Sequence, residues 1–245
     1  MILSTLAANQ RLLVIVPAFN EEASLANVIV ELRAALPGVR VVVINDGSHD
    51  ATQQVAEGAG TQVVNLPYNL GIGAAMQTGF IVADEEGFDF AVQVDGDGQH
   101  DPREIGRLLQ PLLDGTADVV VGSRYLVGPG YVSSTMRRTG IRILAACITV
   151  LTGQRCTDAT SGFRAANRRA IKLCAAYYPP DYPEPESLVV FRQVGLRAQE
   201  VPVSMRARTG GKSSITAARS GYYMLKVLLA IGVMMLRRAP RLREV

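Results

Sequence analysis

Three observations predict a doubly wound α/β fold, a mostly parallel β-sheet flanked by helices. Short runs of Val, Ile and Leu recur along the first half of the chain, each followed by a stretch with helical periodicity. The runs are continuous rather than alternating, as expected of strands covered on both faces. The polar, carboxylate-rich segments fall directly behind those runs, where the carboxyl ends of parallel strands form a ligand-binding crevice.

Taken in order, LLVIV (12–16) reads as the first strand and EEASLANVIVELRAAL (21–36) as the helix behind it. VRVVVI (39–44) is the second strand, ATQQVAEGA (51–59) a helix and TQVVNL (61–66) the third strand. GAAMQTGFIVADE (73–85) is helical, FDFAVQV (88–94) and ADVVVG (117–122) are strands, and PREIGRLLQPLL (102–113) lies between them as a helix. The second half is less regular. It holds a helix over 138–152, the segment TDATSGFRAANRRAI, a Pro-rich stretch YYPPDYPEPESL, a strand-like LRAQEVPVSM and a helical run over roughly 213–238. Four polar segments, PAFNEE, NDGSHD, PYNLGIG and DGDGQHD, follow the first four strands.

With 245 residues, 48% of them hydrophobic, the chain can bury a sizeable core as one large domain with or without an appendage. A formal net charge of +3 is too small to argue for a nucleic-acid partner. The basic excess gathers at one end, where RRAPRLREV carries four arginines against one glutamate. Three cysteines without metal-ligand spacing suit a reducing compartment. The first residues, MILSTLAANQR, lack the basic region of a signal peptide.

The segment VQVDGDGQHDP crowds Asp95, Asp97 and Asp101 behind the fourth strand. Like charges this close need a positive partner. Asp95 and Asp97 are two apart, so an extended chain points both to one side. Gly96 and Gly98 allow bends and the close approach of a ligand. Hard divalent cations take oxygen ligands, and Mg2+ combines one or two carboxylates with phosphate oxygens and water. Gln99 can add a carbonyl oxygen. Asp101 reads instead as a helix N-cap, with Pro102 at the first helical position and Glu104 at the third. His100 reads as a local hydrogen-bonding residue, and Asn20 and Asp50 as helix caps. GIGAA is not a dinucleotide fingerprint: Met76 occupies the third glycine position, and PYN intervenes after the strand.

VDGDGQHDP resembles the DxD region of inverting glycosyltransferases of family 2, which have a GT-A fold. The resemblance extends in order through VPAFNEE, VVINDGSHDAT, NLGIGAAMQTGF, VVGSRY, DATSGFRAANRRAI and EVPVSMRARTGGKSS, covering roughly residues 12–215. This set is similar to the dolichyl-phosphate mannose synthase branch, the polyprenyl-phosphate sugar synthases. The resemblance implies that Pro17, Phe19 and Glu21 line a nucleotide pocket and that Asp46 reads the base. It also places Asn69 and Gly73 beside the nucleotide. The family often has Asp-Asp where this chain has Asn45-Asp46, so only Asp46 is carried over, and the donor is a GDP- or a UDP-sugar. Asp95, Asp97 and Gln99 match positions that hold Mg2+ or Mn2+ and the donor diphosphate. Arg206 and Lys212, in RARTGGKSS, are placed over the departing diphosphate.

A sugar hydroxyl acceptor needs a general base, whereas a polyprenyl phosphate, with a second pKa near 6, is already largely anionic. The resemblance places Arg124, Arg137 and Arg138 to orient such a phosphate, and arginine suits that task through its forked donors. Asp158 stands either as a base for a hydroxyl acceptor or as a loop anchor. Glu184 and Glu186 stand either beside the acceptor or in Pro-bounded turns. The QxxRW motif of processive polysaccharide synthases is absent.

GYYMLKVLLAIGVMML (221–236) carries one charge and is shorter than the roughly twenty residues that span a bilayer. Followed by RRAPRLR, it reads as a helix lying at a membrane interface or docking on a small membrane protein. The competing readings are a terminal core helix and a contact between like chains, a homo-oligomer. The expected division is a GT-A domain over residues 1–212 and an apolar, basic helix over 213–245, peripheral at the cytoplasmic face of the plasma membrane. The expected activity is inverting, metal-dependent transfer from a nucleotide-sugar to a polyprenyl phosphate. Its rivals are a glycosyltransferase acting on a sugar hydroxyl in surface polysaccharide assembly and a non-catalytic nucleotide-sugar-binding subunit of a membrane complex.

Overall fold

The computed structural model describes residues 10–126, 135–206 and 217–236. Its strands are β1 (Leu12–Ala18), β2 (Arg40–Asn45), β3 (Gln62–Asn65), β4 (Phe90–Gln93), β5 (Val119–Ser123), β6 (Arg164–Asn167) and β7 (Ala198–Pro202). They form one seven-stranded sheet in the order β3-β2-β1-β4-β6-β5-β7. Parallel ladders join β1 to β2 and β4, β2 to β3, and β5 to β7. β6 alone is reversed and runs antiparallel to β4 and β5, pairing Gln93 with Arg164 and Val121 with Arg164. The sheet is thus mostly parallel, as the continuous Val/Ile runs imply.

The helices are α1 (Leu25–Ala35), α2 (Thr52–Gly58), α3 (Ile72–Glu85), α4 (Ile105–Leu113), α5 (Thr135–Thr152), α6 (Arg168–Ala176), α7 (Pro183–Gln193) and α8 (Ala217–Leu236). They cover both faces of the sheet. On β1, Leu13 and Ile15 enter one apolar layer, while Leu12, Val14 and Val16 enter the other. The second layer is closed by Leu25, Ile29 and Leu32 of α1 and by Ile105, Leu108 and Leu109 of α4. The first is closed by Met76 and Phe80 of α3, Leu144 and Ile148 of α5, Ile171 of α6, Val189 and Phe191 of α7, and Val227 and Ile231 of α8. Burying each such side chain contributes about 1.5–3 kcal/mol.

Three local expectations are corrected. α1 begins at Leu25, four residues later than its periodicity suggests, and Ser24 occupies the N-cap position. Asn20 does not cap it. With φ 55°, Asn20 shapes a left-handed bend whose side chain accepts the amide of His49. PEPES is not a turn but the first turn of α7, where Pro183 and Pro185 occupy positions whose amides a helix leaves unpaired. Asp101 does sit at an N-cap, of the short 3-10 turn Pro102–Glu104, and accepts the amide of Arg103.

Because β6 is reversed, its entry lies at the same edge as the exits of the other six strands. Pro17–Ser24, Asp46–Asp50, Leu66–Gly71, Val94–Asp101, Arg124, Thr157–Phe163 and Val203–Arg206 therefore gather along one rim.

Candidate active site

The rim is held together by hydrogen bonds between residues distant in sequence. Asp46 is buried, and its two carboxylate oxygens accept the amides of Leu70 and Gly71 at 2.8 and 2.9 Å. Gly47 has φ +67°, and a Cβ there would lie 2.5 Å from the Tyr68 carbonyl carbon, so only glycine lets these two loops touch. Phe19 is exposed and meets the edge of His49 at 6.3 Å between centroids. Glu21 takes the hydroxyl proton of Ser24 on Oε2 at 3.0 Å, and the same hydroxyl also lies 2.8 Å from the Gly96 carbonyl. Pro17 is buried in β1, and the site a Gly96 Cβ would occupy is 3.4 Å from its carbonyl oxygen. The loop carrying Asp95 and Asp97 therefore rests on the loop that follows β1. Asn69 is exposed on the third loop. Gly73 is set against the Pro179–Pro180 backbone, whose carbonyl oxygens would meet a Cβ at 2.5 Å.

Asp95 is half-exposed. Its Oδ1 accepts Gln93 Nε2 at 3.0 Å, and its amide donates to His100 Nδ1 at 3.0 Å. His100 Nε2 lies 3.6 Å from Asp95 Oδ2, and the imidazole stacks on the buried Phe163 ring at 4.7 Å. Asp97 is buried and accepts the Gln99 amide on Oδ1 at 3.0 Å. Gln99 donates its side-chain amide to the Arg206 carbonyl at 3.4 Å, and the Arg206 amide donates back to the Gln99 carbonyl at 2.9 Å. The strand-like bridge His100–Met205 completes this seam. Arg206 pairs with Glu31 and lies 3.2 Å from Asp101, which also takes the Arg103 fork. The Arg103 side chain holds the Asp101 carboxyl down to about 2.

Arg124 and Asp158 form a buried fork, with Nε to Oδ2 and Nη2 to Oδ1 both at 2.6 Å. The Arg124 amide joins Asp158 Oδ2 at 3.1 Å. Behind them Glu200 of β7 accepts the amides of Thr157 and Asp158 and the Thr157 hydroxyl, all within 2.7–2.9 Å. Asp158 is thus an anchor for Arg124, the second of the two roles open to it. Glu184 lies in the first turn of α7, and Arg164 reaches its carbonyl at 2.8 Å. Burial pushes the Glu184 carboxyl up, the cation of Arg164 pulls it down, and the negative charge of Asp95 pushes it up again.

Sequence reasoning thus places Pro17, Glu21, Asp46, Asp95, Asp97, Gln99, Arg124 and Arg206 on one rim. Arg137 and Arg138 fall in the first turn of α5. Arg138 is half-buried, while the Arg137 side chain and Lys212 lie outside the described residues. His100 is the local hydrogen-bonding residue its sequence reading makes it, with Asp95 as its partner, and two residues were missed: Glu200, and Gly162, where a Cβ would meet Gln93 Nε2 at 2.8 Å and Asp95 Oδ2 at 3.2 Å. Glu200 had two signals, its place within the strand-like LRAQEVPVSM and its position at the head of EVPVSMRARTGGKSS, but neither gave it a role.

Among the described residues no group of three or more His, Cys, Asp or Glu side chains forms a self-contained metal centre. Two carboxylates and an amide on one loop form an incomplete hard-oxygen set, which suits a divalent ion whose remaining ligands come from a diphosphate and water.

A mostly parallel sheet with its carboxylates, amide and arginines on the strand-exit rim defines a GT-A-like glycosyltransferase. The chain belongs to glycosyl transferase family 2, whose family model matches residues 13–173. It is 31% identical over 226 residues to an undecaprenyl-phosphate mannosyltransferase of Micrococcus luteus, covering 89% of this chain and 92% of that one. It is 30% identical over 235 residues to a polyprenol monophosphomannose synthase of Mycolicibacterium smegmatis, covering 91% and 88%. Among solved structures it is similar to glucosyl-3-phosphoglycerate synthase from Mycobacterium tuberculosis in complex with Mn2+ and UDP-glucose. That likeness has a TM-score of 0.72 and 25% identity, over 95% of this chain and 83% of that one.

Proposed function

We propose that this glycosyltransferase moves a sugar from a GDP- or UDP-sugar to a polyprenyl phosphate, with inversion and with Mg2+ or Mn2+. The observation that carries the reading is the fork of Arg124 and Asp158 on the same rim as Asp95 and Asp97. A carboxylate locked on arginine is a poor proton acceptor, and a phosphate acceptor needs none. The names of the relatives supply the acceptor class, and the Mn2+ and UDP-glucose of the structural neighbour support a metal and a nucleotide-sugar.

In this reading Asp95, Asp97 and Gln99 hold the ion. When bound, the ion supplies Lewis acidity to the leaving diphosphate. Pro17, Phe19, Glu21, Asp46 and Asn69 border the nucleotide. Asp46 does so through the loop it holds at Leu70 and Gly71. Arg206 swings from Glu31 and Asp101 toward the diphosphate, with Lys212 as its companion. Arg137 and Arg138, with Arg124 held in place by Asp158, orient the acceptor phosphate for attack from the face of the anomeric carbon opposite the nucleotide. The catalytic domain is residues 1–212, with 213–245 meeting the membrane, and the enzyme works as a peripheral protein at its cytoplasmic face.

One observation favours a second reading. Glu184 lies in the first turn of α7, and burial pushes its carboxyl up, which suits it to accept a proton from a sugar hydroxyl. An assay with labelled GDP- and UDP-sugars against polyprenyl phosphate and free glycans separates the two. Transfer to the lipid, abolished in Asp97→Ala and kept in Glu184→Gln, supports the first. Transfer to glycans only, lost in Glu184→Gln, replaces it with the second.

A further inference from the structure

Arg164 opens β6 and is only 6% exposed. Its guanidinium reaches four acceptors, and none of the four is a carboxylate oxygen. Nε donates to the Ser161 carbonyl at 2.8 Å, and Nη2 to the carbonyls of Ala159 and Glu184 at 3.3 and 2.8 Å. Nη1 donates to Ser187 Oγ at 2.7 Å, and that hydroxyl gives its own proton to the Glu184 carbonyl at 3.1 Å. Arg124, by contrast, is buried on the carboxylate of Asp158. Taking a cation out of water is costly, and an apolar side chain would fill the same space without that cost. What an apolar side chain cannot do is hold several acceptors at once, as the rigid guanidinium fork does.

The four acceptors belong to two segments. Ala159 and Ser161 lie in the loop before β6, and Glu184 and Ser187 in the first two turns of α7. The loop has a site residue at each end. At one end Asp158 takes the Arg124 fork, and Arg124 Nη2 also reaches the Thr160 hydroxyl at 2.9 Å. At the other end Gly162 lies against Asp95, whose Oδ2 would meet a Cβ there at 3.2 Å. Arg164 itself pairs with Gln93, the residue that holds Asp95 Oδ1. One short loop therefore reaches from the anchor of Arg124 to the carboxylate of Asp95, and Arg164 fastens its middle to α7.

We propose that Arg164 is a positioning residue for sugar transfer: by tying the Asp158–Gly162 loop to α7, it fixes the span between Arg124 and Asp95. The inference rests on the acceptor reading for the role of Arg124. Attack by a bound acceptor requires that acceptor and donor be held at one separation, and a misplacement of about 1 Å costs on the order of a hundredfold in rate. Water attacking the donor needs no arginine to place it. Loosening the loop therefore changes which nucleophile takes the sugar. A mere loss of stability lowers transfer and hydrolysis in equal proportion.

Arg164→Lys, Arg164→Met and Ser187→Ala are assayed with labelled donor and Mn2+, well below the melting temperature of each variant. Two rates are read, transfer to a short-chain polyprenyl phosphate and release of free sugar to water. Arg164→Lys keeps the charge and loses the fork. It lowers transfer at least tenfold, while hydrolysis and the Kd for the nucleoside diphosphate with Mn2+ stay within twofold of the parent. Ser187→Ala removes one acceptor, leaves the charge, and moves the ratio of transfer to hydrolysis the same way by less. Both rates come from the same folded molecules, so poor folding of Arg164→Met leaves that ratio at the parental value, and Arg164→Lys and Ser187→Ala carry the test. A parental ratio in Arg164→Lys, or transfer that falls only as far as nucleoside diphosphate binding does, overturns the proposal. A parent that glycosylates only free glycans removes the acceptor reading, and the same ratio measured with the glycan then decides whether Arg164 positions the loop.

Discussion

His100 grips Asp95 at two points: its Nδ1 takes the Asp95 amide proton at 3.0 Å, and its Nε2 lies 3.6 Å from the carboxylate. Since Nδ1 is an acceptor, the neutral ring carries its proton on Nε2, facing the carboxylate. The backbone of the residue that would hold the metal is therefore fixed by a buried imidazole stacked on Phe163, while Gln93 holds its carboxylate. His100→Phe keeps a ring in the stack and removes both polar contacts. It should weaken the apparent affinity for Mn2+ by about 10–100-fold, as lost partners of metal ligands commonly do, with a smaller loss of kcat at saturating metal. A metal titration of the transfer rate checks this, and an unchanged titration curve removes His100 from the site.

Gly162 packs directly against the Asp95 carboxylate. Gly162→Ala places a methyl within 2.8 Å of Gln93 Nε2 and 3.2 Å of Asp95 Oδ2, so one of the two side chains must move. The expected outcome is a fall in activity of about tenfold or more, in keeping with misplacement at a reacting centre. The melting temperature should move by only a few degrees. Steady-state rates together with a thermal melt test the split.

The buried Arg124–Asp158 fork makes a stability prediction. Asp158→Asn leaves Arg124 buried without its counter-charge, and breaking one side of such a pair costs about 3–5 kcal/mol. Urea unfolding should show that loss. Were Asp158 a catalytic base rather than an anchor, the substitution would abolish activity and leave the urea midpoint in place.

Asp101 links stability to pH. Its carboxyl is held down to about 2, chiefly by the Arg103 side chain, below the ordinary range of an unfolded aspartate. The folded state thus binds this proton less readily than the unfolded one. The stabilisation is complete above about pH 4, the ordinary value, and drains away as pH falls toward about 2. Asp101→Asn should destabilise the protein at pH 6 and flatten the fall in melting temperature between pH 4 and pH 2.

The sequence foretold β1 to β5 because each is a continuous apolar run, and foretold the rim because polar segments follow those runs. It did not foretell β6, whose RAAN is neither apolar nor alternating. That strand exists because Gln93 and Val121 both need a partner, and Arg164 opposes each. Nor did local rules reveal α7, whose prolines mimic a turn. The same limit applies inside the site. Asp95, Asp97 and Gln99 are legible because they share one loop. The contacts of Asp46 with Leu70, of Asp158 with Arg124, and of Glu200 with Thr157 span 24, 34 and 43 residues and arise only from tertiary folding.

The reversed strand also orders the birth of the molecule. β5 touches the sheet only through β6 and β7, both of which follow it in the chain. A nascent polypeptide that ends before Arg164 can assemble β3-β2-β1-β4 with its carboxylate loop, but β5 has nowhere to pair and β4 shows a bare edge. A chain truncated before Arg164 is therefore expected to expose the β4 edge, and the Arg164–Pro202 stretch is what completes the sheet.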